Sequence, residues 1–95
     1  MLDVYKIRKD FPILGKKVNN TDLIYFDNAA TSQTPNQVID VISSYYKENN
    51  SNIHRGLHSL SADATNKYEN SRSIIKNHFG AAHDHEIIFT SGTTH

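Results

Sequence analysis

Residues 59–80 (SLSADATNKYENSRSIIKNHFG) decide the fold of this chain. Their periodicity predicts a helix that begins near Ser59 or Ser61 and ends at about Phe79. Gly80 follows at the position where many helices end in a left-handed residue. One helix face carries apolar or small side chains: Leu60, Ala64, Tyr68, Ser71, Ile75 and Phe79. The small members of this face indicate close packing on another element.

The same helix carries an acidic and a basic residue three positions apart, Glu69 and Arg72. Side chains at this spacing are neighbours on a helix surface. We expect them to form a solvated ion pair.

Two shorter helices are predicted upstream, over about residues 4–10 and 35–48. Asp3 is suited to capping the first, because its carboxylate can accept from an unpaired amide of the first turn. For the second, Thr34 is the expected N-cap and Pro35 the first helical residue.

Two short apolar runs, residues 23–26 and 86–90, predict strands. Two separated strands do not make a self-sufficient sheet, so both need partners that this chain does not obviously supply. The expected fold of residues 1–95 is therefore mainly helical, with about three helices and two short strands in one domain.

The composition excludes several functions. Ten basic and ten acidic residues give a formal net charge of zero, which argues against binding nucleic acid. The chain has no cysteine, so it can form neither a disulfide nor a cysteine-based metal site. No apolar run is long enough to span a membrane, and the first residues do not resemble a signal peptide. We expect a cytoplasmic protein.

The second predicted strand leads into Ser91-Gly92-Thr93-Thr94. A strand followed by such a turn is a phosphate-binding pattern, because Gly92 lets the backbone approach an anion while hydroxyls and amides donate to its oxygens. An ordinary polar turn is the alternative interpretation.

Residues 54–58 are His-Arg-Gly-Leu-His. Arg55 could bind a carboxylate through two hydrogen bonds, and His54 could move protons or ligate a metal. Gly56 argues against a helix that would bring His54 and His58 onto one face. A solvated loop is the alternative.

Residues 27–31 (Asp-Asn-Ala-Ala-Thr) follow the first predicted strand. Small side chains there, Ala29 and Ala30, leave room for a ligand at the carboxyl end of the strand. A plain strand-to-helix turn would have the same composition.

Taken together and in this order, four segments resemble the class V aminotransferase group of pyridoxal-phosphate enzymes, and the SufS-like branch of cysteine desulfurases fits best. Selenocysteine lyase and kynureninase are neighbouring members. The segments are residues 24–31 (IYFDNAAT), 54–61 (HRGLHSLS), 64–72 (ATNKYENSR) and 88–94 (IFTSGTT).

The resemblance implies a fold type I α/β parent enzyme that is a homodimer and binds pyridoxal 5'-phosphate through a lysine. In such a parent enzyme, a cysteine thiol takes sulfur from L-cysteine as a persulfide and leaves alanine. A sulfur-acceptor protein would then receive the sulfur for iron–sulfur cluster assembly. By the same resemblance, the residues that bind the cofactor phosphate are Gly92, Thr93 and Thr94. Those beside the substrate are Ala29, Ala30, His54 and Arg55.

The chain departs from the pattern in lacking the family's catalytic lysine and cysteine, so we expect no catalytic residue here and no activity from these 95 residues alone. His95 stands where many family members carry an acidic residue. Two alternatives remain: a stand-alone helical module that self-associates or regulates by binding, and a histidine-based metal-binding module.

Overall fold

The computed structural model describes residues 1–54 and 58–95, which form two compact units, Met1–Glu48 and Asn49–His95. The helices of the described residues are α1 (Val4–Arg8), α2 (Asn36–Ser44) and α3 (Ser59–Phe79), and the strands are β1 (Lys17–Val18) and β2 (Thr21–Asp22). The predicted composition of three helices and two short strands is confirmed, but the strands lie at other residues than expected.

Helix α1 begins as its sequence predicts. The Asp3 side chain accepts a hydrogen bond of 3.1 Å from the amide of Lys6, so it is the N-cap. The helix ends at Arg8, and a 3-10 turn follows over Pro12–Gly15. The Arg8 guanidinium donates to the carbonyl of Leu23 at 3.4 Å, which ties α1 to the segment after β2.

Strands β1 and β2 form an antiparallel hairpin whose turn residues are Asn19 and Asn20. Their φ angles of 53° and 65° are left-handed, as a type I′ hairpin turn requires, and asparagine tolerates this conformation. The hairpin was not predicted. The strand expected at residues 23–26 is wrong, because those residues pair with no strand in the described part of the chain.

Helix α2 begins one residue later than predicted. Pro35, with extended backbone angles, is the N-cap, and Thr34 is not. The amide of Asn36 donates to the carbonyl of Asp10 at 2.7 Å, so backbone from an earlier turn replaces a side-chain cap. The helix then continues as a π-helical turn over Tyr45–Asn49.

Helix α3 has the predicted bounds. The Nδ1 atom of His58 accepts from the amide of Ser61 at 3.2 Å, so this histidine caps the helix. At the other end Gly80 has a φ of 71°, which confirms the expected left-handed residue. Ser61 and Ala64, 1% and 3% exposed, are the buried residues of the described chain.

The segment after α3 differs from its prediction. A 3-10 turn occupies Asp84–Glu86, and residues 87–90, which begin with an extended Ile87, belong to no sheet. The predicted strand over residues 86–90 is therefore wrong within the described chain, where no second strand offers its amides a partner. Ile88 is 77% exposed in consequence.

Many large apolar side chains lie at the surface, among them Phe26, which is 91% exposed. Among residues 1–54 and 58–95, the buried side chains are the small ones on the first turns of α3. Within the part of the chain that the structure describes, no helix combines the length and the apolar content needed to cross a bilayer.

Replacing Gly80 with alanine should lower the free energy of unfolding by about 1–2 kcal/mol, because a Cβ is disfavoured in the left-handed conformation. No atom lies within 4 Å of the new Cβ, so the cost is conformational and not steric. Urea unfolding followed by circular dichroism at the helical band measures it. Gly15→Ala is the matched control, since that position is equally open and has no positive φ. Equal losses in both variants would contradict the explanation.

Candidate functional site

Five side chains of the second unit gather against α3 and are named here the α3 cluster: His54, Tyr68, Glu69, Arg72 and Phe89. Arg72 lies four positions after Tyr68 and three after Glu69, so it neighbours both on the helix surface. His54 comes from the loop before the helix and Phe89 from the segment after it.

Arg72 makes the most contacts in the cluster. Its Nε donates to Glu69 Oε2 at 3.2 Å, and its Nη1 donates to the carbonyl of Ile87. The guanidinium carbon lies 5.4 Å from the ring centroid of Tyr68 and 4.8 Å from that of Phe89. The predicted ion pair is confirmed, but only Glu69 is solvated, since its side chain is 46% exposed and that of Arg72 is 19% exposed. The pair itself was visible in the sequence, but its burial depends on residues that follow the helix.

His54 is held from two sides. Its Nε2 lies 3.1 Å from Glu69 Oε1, and its backbone amide donates to the Thr65 hydroxyl at 3.0 Å. Its ring meets that of Tyr68 edge-on at 6.1 Å. The φ of His54 is 59°, a left-handed conformation that costs a non-glycine residue about 1–2 kcal/mol. The contacts to α3 offset this cost. Arg55 lies outside the described residues.

A cleft of about 500 Å³ lies beside the cluster, between α3 and the segment that follows it. One wall carries Asp84, whose carboxylate meets Lys76 Nζ at 3.1 Å and the Ser73 hydroxyl at 3.1 Å. The hydrogen bond from Lys76, followed by the one from Ser73, holds the pKa of Asp84 below its usual value. Asp84 therefore keeps its negative charge in mildly acidic solution.

Gly92, Thr93 and Thr94, named here the GTT turn, form an exposed turn. The amide of His95 donates to the Gly92 carbonyl at 3.2 Å, and Nδ1 of the same histidine accepts from the amide of Ser91 at 3.3 Å. In the described chain the three amides of the GTT turn have no acceptor. No atom lies within 4 Å of a Cβ placed on Gly92. The turn is thus open to an anion.

In the first unit, residues 27–31 form a turn. The carbonyl of Asp27 accepts from the amides of Ala30 and Thr31, each at 3.1 Å. The hydroxyl of Tyr25 donates to the carbonyl of Thr31 at 2.5 Å and lies 3.1 Å from the carbonyl of Asp27, which braces the turn. Ala29 and Ala30 are exposed, so nothing in this unit fills the space beside them.

Sequence reasoning missed the capping role of His58, for which a metal ligand and a solvated loop residue were the alternatives. Its Nδ1 is occupied by the Ser61 amide. Across residues 1–54 and 58–95, no three His, Cys, Asp or Glu side chains are grouped so as to hold a metal ion.

Comparison with known proteins identifies the family to which this chain is similar. The model of the aminotransferase class-V family matches residues 24–95. A probable cysteine desulfurase of Staphylococcus epidermidis is 54% identical over 92 residues, which are 97% of this chain and 22% of that protein. The corresponding figures for a probable cysteine desulfurase of Staphylococcus aureus are 53%, 97% and 22%.

A solved structure is also similar. The apo structure of a cysteine desulfurase from Thermococcus onnurineus matches with a TM-score of 0.69 and 43% identity, over 86% of this chain and 19% of that one. The described fold is therefore that of a segment of a cysteine desulfurase. The chain spans about a fifth of the length of the curated relatives it matches, at 22%.

Replacing Lys76 with methionine should raise the pKa of Asp84 toward its ordinary value of 3.8, because the main cause of the lowered pKa is removed. The carboxyl ¹³C shift followed against pH measures this.

Asp22 is the internal control for this titration. Its pKa is lowered by Lys17 in the first unit and should stay unchanged in Lys76→Met. A carboxyl whose pKa is lower in the folded than in the unfolded chain stabilises the fold at a pH above its unfolded-state pKa. This stabilisation is lost as the pH falls through the folded-state pKa. The variant should therefore lose stability relative to the parent near neutral pH and not in strong acid. An unmoved Asp84 titration would refute the assignment.

Proposed function

The chain belongs to the aminotransferase class-V family, and from this membership we propose that it forms the N-terminal part of a pyridoxal-phosphate-dependent cysteine desulfurase. The parent reaction converts L-cysteine to L-alanine and transfers the sulfur as a persulfide. The observation that carries the proposal is the open GTT turn, whose three amides have no partner among the described residues. The turn lies in a chain that is 54% identical to a probable cysteine desulfurase.

The residues of the GTT turn fit the phosphate group of pyridoxal phosphate. Amides and hydroxyls are the donors that phosphate oxygens accept, and the space beside Gly92 admits an anion. When bound, pyridoxal phosphate supplies an electron sink for the bonds around the α-carbon of an amino acid. Gly92, Thr93 and Thr94 would hold its phosphate.

Four further residues are proposed to surround the substrate. Ala29 and Ala30 leave room for it, since their side chains are small and exposed. Arg55 offers a guanidinium, which binds a carboxylate through two hydrogen bonds. His54 offers a ring nitrogen that Glu69 does not engage. All four would bind and orient the substrate.

The bond-breaking steps are assigned to residues outside these 95. The sequence contains no cysteine and therefore no thiol that could accept sulfur. As parts of the same proposal, the parent enzyme is a cytoplasmic homodimer of the SufS-like branch. It passes sulfur to an acceptor protein for iron–sulfur cluster assembly.

Titration with pyridoxal phosphate tests the assignment of the GTT turn. The amide NMR signals of Gly92, Thr93 and Thr94 should shift, because their N–H groups become donors to the phosphate. The double variant Thr93→Val, Thr94→Val should bind roughly tenfold more weakly or worse, since it loses two hydroxyl hydrogen bonds to a charged group.

Pyridoxal, which lacks the phosphate, is the matched control ligand and should leave these amides in place. Shifts of equal size with both ligands would place the contact elsewhere. No shift with either would reject these three residues as the phosphate site of this chain.

The 95-residue chain should release no sulfide from L-cysteine, because it has no sulfur-accepting thiol. A colorimetric sulfide assay with reductant and pyridoxal phosphate measures this. The blank contains the same cofactor without protein, which accounts for any reaction of free pyridoxal phosphate. Sulfide above that blank would contradict the assignment of the chemistry to residues elsewhere.

A second candidate is a helical module that self-associates or regulates by binding, without pyridoxal-phosphate chemistry. The large exposed apolar side chains favour it, among them Phe26 and Ile88. The same titration separates the two candidates, since such a module would leave the GTT amides unshifted.

A further inference from the structure

The carboxylate of Glu69 bridges two partners with its two oxygens. Oε1 lies 3.1 Å from His54 Nε2, and Oε2 lies 3.2 Å from Arg72 Nε. We propose that Glu69 is a positioning residue, which holds the neutral His54 ring in the Nε2–H tautomer and leaves Nδ1 as a hydrogen-bond acceptor.

The tautomer follows from what each group can donate. An ionised carboxylate only accepts hydrogen bonds, so the bond to Glu69 requires a proton on His54 Nε2. A neutral imidazole carries one ring proton, and Nδ1 then keeps its lone pair. Among residues 1–54 and 58–95 no group bonds to Nδ1 of His54.

Arg72 prevents the carboxylate from turning away. The guanidinium is itself anchored, because it donates to the Ile87 carbonyl and lies against the rings of Tyr68 and Phe89. With Oε2 bound to this anchored donor, Oε1 remains directed at His54.

The loop side of the contact is fixed as well. The amide of His54 donates to the Thr65 hydroxyl at 3.0 Å, and Thr65 lies one helical turn before Glu69. Backbone and ring of His54 are thus both bound to α3, in a left-handed conformation that few non-glycine residues adopt. Strained residues of this kind cluster at functional sites. The role of His54 in the reaction rests on the proposed function. In that role, Nδ1 of His54 would accept a hydrogen bond from the amino-acid substrate.

Two-bond ¹H–¹⁵N spectra of the histidine-labelled chain test the proposal at about pH 8.5, where ordinary histidines are neutral. The parent chain should show His54 with its proton on Nε2. Glu69→Gln should move the proton to Nδ1. The reason is that Arg72 can only donate, so it takes the amide oxygen and leaves the amide NH₂ to donate to Nε2.

Asp63→Asn is the matched control. It removes one negative charge from an exposed site on the same helix and should leave the His54 tautomer unchanged. A general loss of structure would broaden or shift all the histidine signals, whereas the proposal requires a swap confined to His54. A parent chain protonated on Nδ1 would overturn the proposal without any variant, and so would a Glu69→Gln chain that keeps the parent tautomer.

The experiment contains no cofactor and no substrate. Its failure therefore leaves the phosphate role of the GTT turn standing. A failed pyridoxal-phosphate titration in turn leaves the tautomer result unaffected.

Discussion

The interaction of Arg72 with Glu69 and the Ile87 carbonyl is the constraint on which the second unit depends. One guanidinium joins the helix to the segment that follows it, and through Glu69 it reaches the loop that carries His54. Arginine suits this position because its planar fork offers several donors at fixed angles and also lies flat against aromatic rings. Removing it would leave Oε2 of Glu69 and the Ile87 carbonyl without this donor, which costs more than the hydrogen bonds alone would suggest.

The first unit depends on backbone bonds and small turns instead of a core. Its described contacts include the bond from Asn36 to Asp10 and the hairpin turn at Asn19 and Asn20. A chain of this size has little interior in any arrangement, and its apolar side chains stay largely exposed. Burying these side chains would stabilise the fold by about 25 cal/mol for each Å² of apolar surface removed from water. The relatives, of which the chain matches 22%, have far more chain with which to do so.

The two proposals for the second unit depend on different physics. The GTT turn is open, and it could bind an anion through its amide N–H groups, which have no partner in the described chain. The α3 cluster is the reverse case, because both carboxylate oxygens of Glu69 are engaged and Nδ1 of His54 is the ring nitrogen without a partner among the described residues. A turn that binds a ligand from solution can stay exposed. A side chain that must be held in one orientation, as is proposed for His54, needs several contacts.

Local chemistry in the sequence by itself determined the bounds of α3, the left-handed Gly80 and the cap at Asp3, because these depend on residues within one or two turns. It also determined the family, through four short segments in order. The hairpin was missed although its signal is local, since an Asn-Asn pair can be read as a plain loop. Only the tertiary structure decided how Arg72 is buried. The carbonyl that Arg72 binds lies fifteen residues away, and a contact at that distance is not encoded in the spacing of a single segment.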